Sequence, residues 1–64
     1  MKKLTLKLWR VSKGLSQEEC ARYVGVTTKT WHTWEEATSY PKINKVFKIC
    51  KLFGCKIEDI DFLC

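Results

Sequence analysis

The sequence is poor in residues that break a chain. Its 64 residues include three glycines and one proline, Gly14, Gly25, Gly54 and Pro41. They divide the chain into pieces of helix length. No stretch approaches the ~20 apolar residues of a bilayer span. The start, Met1-Lys2-Lys3-Leu4-Thr5-Leu6-Lys7, lacks the apolar run and small-residue cleavage site of a secretory leader. A cytoplasmic protein is therefore expected. Histidine occurs once, as His32, and no nucleophile, base and orienting group converge near it, which argues against an enzyme. The four cysteines, Cys20, Cys50, Cys55 and Cys64, lack the two close pairs of ligands that structural zinc requires. No metal, cofactor or small-molecule ligand is expected. Cys20 and Cys50 read as reduced thiols in small apolar core positions. Acids are also scarce, 7 Asp+Glu against 12 Lys+Arg, for a net charge of +5. That excess favours polyanions through counterion release, although it also serves simply to keep a small protein soluble.

What is present is apolar residue at helical spacing. Hydrophobic residues make up 45% of the chain, enough for one small domain over residues 1–64. Thr5 is placed to cap a helix from Leu6 to Lys13 that stops at Gly14, with Leu4 and Trp9 as a hydrophobic staple. Leu4, Leu6 and Leu8 also alternate as a strand would, but the cap and the glycine favour helix. Ser16-Gln17-Glu18-Glu19 is a capping box that opens a second helix, 16–24, with Cys20, Ala21 and Val24 facing inward. Thr27 caps a third, 28–35. Its stripe of Trp31 and Trp34 belongs to the core, leaving Thr28, Lys29, His32 and Thr33 outside.

After a loop at Glu36–Pro41, a fourth helix is expected from Lys42 to Phe53. Its apolar face would be Ile43, Val46, Phe47, Cys50 and Phe53. Lys45, Lys48 and Lys51 drift along the other side, as a solvated face more than a clamp. A fifth helix, Ile57 to Phe62, would open on acids that suit the helix dipole. The sum is an all-α, compact five-helix domain.

The segment Gln17–Glu35 carries the functional signal. Two short capped helices are joined by a tight turn at Gly25, and Ala21 is small where they must approach. In this arrangement the second helix stands out from the body, and its first residues can reach base edges in a major groove. The sequence resembles the XRE family, the lambda-repressor-like helix-turn-helix proteins. The resemblance rests on Leu6-Lys7-Leu8-Trp9-Arg10, Gly14-Leu15-Ser16-Gln17-Glu18-Glu19-Cys20-Ala21, Val24-Gly25-Val26-Thr27, Trp31-His32-Thr33-Trp34-Glu35, Tyr40-Pro41 and Leu52-Phe53-Gly54-Cys55-Lys56-Ile57-Glu58-Asp59-Ile60. The tryptophan pair and the ending Asp59-Ile60-Asp61-Phe62-Leu63 resemble small Cro-like regulators of phages and mobile elements in Gram-positive bacteria.

The resemblance implies a sequence-specific repressor of double-stranded DNA. Thr28, Lys29 and Thr33 match base-reading positions, and His32 sits beside them. Gln17 matches a phosphate contact; Thr27, Lys42 and Lys45 are further phosphate candidates. Arg10 and Glu35 match a partly buried ion pair that would orient the recognition helix; the plain alternative is a surface pair worth under ~1 kcal/mol. A homodimer on a palindrome is implied, with its surface expected at Ile60, Phe62 and Leu63. The chain departs from the family after Glu35. Relatives often read Asn-Gly-Lys there, whereas this chain has Glu36, Ala37 and Thr38, which removes a loop glycine and a phosphate-binding cation. The acidic Glu35-Glu36 pair and the missing loop cation keep open a second reading, a protein-interaction module of antirepressor or antitoxin type.

Overall fold

Three of the four α-helices begin at a side chain that accepts a hydrogen bond from the first turn. In the computed structural model, which describes residues 3–62, these helices are α1 Leu6–Ser12, α2 Gln17–Val24 and α3 Thr28–Glu35. Thr5 Oγ1 accepts from Leu8 N (3.2 Å), Ser16 Oγ from Glu19 N (3.0 Å) and Thr27 Oγ1 from Thr30 N (3.1 Å). The Glu19 carboxylate answers by accepting from Ser16 N at 3.0 Å, completing the capping box. The Ser16 backbone and side-chain hydrogen bonds hold the Glu19 carboxyl below its ordinary pKa. Each such cap contributes about 1 kcal/mol. The fourth helix, α4 Ile43–Phe53, starts after an extended Lys42 with no side-chain cap.

The core sits where the helices cross. Trp31 is fully buried at its centre, with Leu6, Cys20, Val24, Ile49 and Phe53 around it. The Phe53 ring meets the edge of Trp31 at 6.3 Å and stacks on Trp9 at 6.0 Å, and Trp34 tilts onto Trp31 at 5.7 Å. Four aromatics from α1, α3 and α4 thus bury the area that a domain of this size needs. Trp9 Nε1 donates to the Asp59 carbonyl at 2.9 Å, which ties α1 to the chain's end.

Two expectations need correction. The fifth helix does not form. Ile57–Asp59 make one 3₁₀ turn, closed by Asp59 accepting from Lys56 N at 3.1 Å. Ile60 then becomes extended, and Ile60–Asp61 (β2) pair in parallel with Leu4–Thr5 (β1), Leu4 opposite Ile60. Continued helix would carry Ile60 off the core. Extended backbone turns it inward to 3% exposure and lets the two chain ends share hydrogen bonds. The strand-like alternation at Leu4 is thus realised for two residues, before the Thr5 cap takes over.

The apolar face of α4 is also rotated. Val46, Ile49 and Phe53 are buried and Cys50 is half-buried, whereas Ile43 and Phe47 are 58% and 65% exposed. Residues 46, 49, 50 and 53 form one stripe at i, i+3, i+4, i+7. Phe47 lies about 100° around the helix from Val46. Both stripes are apolar in sequence, and only the one that places Phe53 against two tryptophans is covered.

Burial of Ile60 withdraws it from any surface between subunits. Phe62 is half-buried against the core, and Leu63 and Cys64 lie outside the described residues. Ile60→Ala should therefore lower the unfolding free energy by about 2–4 kcal/mol. Chemical denaturation should give the same loss at every protein concentration; a loss that grows on dilution would place Ile60 at a subunit contact instead.

Candidate nucleic-acid interface

The turn between α2 and α3 depends on one backbone conformation. Gly25 has φ 88° and ψ 35°, in the left-handed region that suits glycine. Its N–H and that of Val26 both donate to the Ala21 carbonyl, at 2.8 and 2.9 Å. Ala21 is buried beneath them, and its small side chain permits the close crossing. The chain leaves this turn through Val26 and enters α3 at the Thr27 cap.

Thr28, Lys29 and His32 all face solvent on α3, on one side of the helix. Glu36, the C-cap residue, continues that side, with its Oε1 3.2 Å from His32 Nε2. Thr33 is half-buried, and its hydroxyl is engaged with the Thr30 carbonyl and Ser39 Oγ, both at 2.7 Å. Its methyl remains the part suited to an apolar base contact. Sequence reasoning missed Ser39, because a partner six residues away across an irregular loop has no periodic signal.

Behind this face, three residues converge on one carboxylate. Glu35 Oε2 accepts from Arg10 Nε and Trp31 Nε1, both at 2.6 Å, and Oε1 accepts from Gln17 Nε2 at 3.0 Å. Arg10 also donates through Nη2 to Oε1 at 3.4 Å and through Nη1 to the Leu15 carbonyl at 2.9 Å. The Arg10 and Glu35 side chains are 14% and 4% exposed, so the expected partly buried pair is present and the surface alternative is not. Burial works to raise the Glu35 pKa. The hydrogen bonds from Arg10, Gln17 and Trp31, with the Arg10 charge, outweigh it and leave the carboxyl below its ordinary value. Gln17 lies 3.3 Å from His32 Nδ1 as well, so the start of α2 is linked to the outer side of α3.

The two candidate lysines differ. Lys42 is exposed just before α4. Lys45 is half-buried and its Nζ donates to the Val24 carbonyl at 3.2 Å. The tryptophan pair is core, as expected. The Cys20 thiol is pushed up to about 11 by burial, as is that of Cys55. Among the described residues no three metal-ligating side chains converge, and no helix is long and apolar enough to cross a membrane.

The end of α3 carries strain. Ala37 has φ 59°, the left-handed region, in a turn where Thr38 N donates to the Thr33 carbonyl at 3.1 Å and Ala37 N to that of Trp34 at 3.2 Å. This is a helix-terminating turn that glycine commonly fills. The missing loop glycine thus leaves its backbone conformation behind.

The helix-turn-helix family pattern matches residues 6–60. An HTH-type transcriptional regulator of Methanocaldococcus jannaschii is 42% identical over 55 residues, 86% of this chain and 83% of the relative. The HTH-type transcriptional regulator YgzD of Bacillus subtilis is 38% identical over 58 residues, 91% and 88% of the two chains. The transcriptional repressor RstR of the cryptic phage CTXphi of Vibrio cholerae is 37% identical over 51 residues, covering 80% of this chain but 46% of the repressor. No solved structure matches at comparable significance.

Two outcomes follow. Arg10→Met should cost about 3 kcal/mol at neutral pH, because it leaves a buried carboxylate with neutral donors alone. The Glu35 pKa is lowered on folding, so its stabilisation is complete above the unfolded carboxylate value and is lost as pH falls through the folded value. Denaturation from about pH 7 to about pH 3 should show this acid-side loss in wild type and a shallower one in Arg10→Met. Equal slopes would show that Arg10 does not set the Glu35 charge. Separately, Ala37→Gly should raise stability by about 1 kcal/mol by relieving the left-handed alanine. A lower melting temperature in that variant would contradict the strain.

Proposed function

The chain belongs to the helix-turn-helix family, of the XRE type, and on that premise we propose that it is a transcriptional repressor that binds double-stranded DNA through α3. The observation that carries the reading is the solvent-facing start of α3, with Thr28, Lys29 and His32 held over the locked Arg10–Glu35–Gln17 cluster. Lys29 has the donors for guanine O6 and N7, and the methyls of Thr28 and Thr33 suit a thymine methyl. Thr27, Gln17 and Lys42 border that face and would meet phosphates. The repressor sense draws support from the similarity to RstR, and a phage or mobile-element origin is in keeping with it. Such a protein acts in the cytoplasm, at the nucleoid.

The reading includes a homodimer, because one half-site offers too few contacts for tight binding. The body measures 30 × 22 × 20 Å, so two copies side by side can set their recognition helices about 34 Å apart, one DNA turn. With Ile60 in the core, we assign the contact to Ile43 and Phe47, adjacent exposed apolar side chains on α4. Regulation then acts through concentration or a competing partner, with no small ligand required.

Binding-site selection from random duplexes tests the proposal directly. Wild type should enrich a short palindrome with half-sites about one helical turn apart. Lys29→Ala should relax specificity at one position per half-site, a loss of about 1–3 kcal/mol for that base. Enrichment of a single half-site would remove the dimer. Recovery of no site would favour the interaction module, for which the exposed Glu36 on the same face is the supporting feature.

A further inference from the structure

A lysine from α4 reaches across to the hinge of the helix-turn-helix. Lys45 Nζ donates to the Val24 carbonyl at 3.2 Å, and Val24 is the last residue of α2. The same ammonium lies beside Gly25, 3.5 Å from where a Cβ on that glycine would sit. The last carbonyls of a helix have no partner within it and carry the negative end of its dipole. At this end, the Gly25 and Val26 amides both go to Ala21, so they do not serve Val24. Arg22, the basic residue in the last turn of α2, is turned away to Glu18 at 2.8 Å. The Val24 carbonyl is thus served from a different helix, by a half-buried cation on α4.

We propose that Lys45 is a positioning residue for DNA recognition: it clamps the hinge at Val24–Gly25 and so fixes the direction in which α3 leaves the body. This rests on the DNA-binding reading of α3. It assigns Lys45 a different task from a phosphate contact. Gly25 can adopt many backbone conformations, and the turn is short, so a fixed C-terminus of α2 restricts the rotation available to α3. The clamp also joins α4 to the same hinge, so the entry of α4, including Lys42, keeps its place relative to α3. A phosphate-contacting lysine and a hinge clamp differ in their salt signature. Loss of a phosphate contact lowers the salt slope by about one and weakens all sequences alike. Loss of a clamp leaves the slope nearly unchanged and weakens the specific site more than random DNA.

The experiment uses the whole chain as wild type, Lys45→Met and Lys45→Arg, with two readouts. The first is binding to the selected duplex and to a random duplex over a range of salt. Lys45→Met should reduce specific affinity about tenfold with a salt slope changed by much less than one, and Lys45→Arg should restore most of it. A slope lower by about one, with specific and random DNA weakened equally, overturns the proposal in favour of a phosphate contact. The second readout needs no DNA. Amide exchange at Gly25, Val26 and Thr30 in the free protein should rise several-fold over that of α1 in Lys45→Met and return in Lys45→Arg. No local rise, or a uniform rise along the chain, also overturns it. If wild type selects no DNA but the hinge amides respond, the repressor reading fails and the clamp itself stands.

Discussion

The carboxylate of Glu35 is the constraint that fixes which side of α3 faces solvent. It lies at the end of α3 and collects donors from α1 (Arg10), from the start of α2 (Gln17) and from its own helix (Trp31). A charge this deep is unfavourable unless its lone pairs are filled, and here they are. The geometry is correspondingly strict. If α3 rotated by one residue, Glu35 would swing about 100° and lose Arg10 and Gln17, its partners on the other helices. The ion pair therefore specifies an orientation more than it adds stability. The side of α3 turned to solvent is the complement of the side that must reach Arg10.

The same network explains why a shallow core suffices. The nitrogen of Trp31 is the polar atom of a fully buried side chain, and Glu35 satisfies it. The remaining surface of Trp31 is then free to be purely apolar, against Phe53 and Trp34. Among the described residues no buried side-chain nitrogen or oxygen is without a partner. A domain this small cannot carry many unsatisfied groups, since each costs about 1–3 kcal/mol of a total that is itself only 5–15.

What could be read from the sequence was local. Thr5, Ser16 and Thr27 are caps because a hydroxyl three residues before a free amide is a short-range arrangement, and all three form. Gly25 and the Trp31/Trp34 stripe belong to the same class, and the family resemblance supplied the one long-range pair, Arg10–Glu35. The misreadings came where two local solutions compete. On α4 two apolar stripes overlap, and periodicity alone could not say that Ile49, not Phe47, faces Phe53's side of the helix. After Gly54, the acids of Glu58 and Asp59 suit a helix start, yet the pairing of Ile60 with Leu4, at the opposite end of the chain, ends it after one turn. The Lys45–Val24 contact was illegible for the same reason, since nothing at either position hints at the other.

Ala37 shows how the departures from the family pattern differ in consequence. The turn after α3 terminates the helix through the Thr38–Thr33 and Ala37–Trp34 backbone hydrogen bonds, a geometry that suits glycine, with an alanine held at φ 59°. The consequence of the alanine is energetic, about 1–2 kcal/mol of local strain. Glu36 is a chemical change instead. It sets a carboxylate on the outer side of α3, 3.2 Å from His32. The departure at Glu36 thus adds a carboxylate to the side of α3 that also carries Lys29, and the departure at Ala37 acts only through the backbone at the helix end.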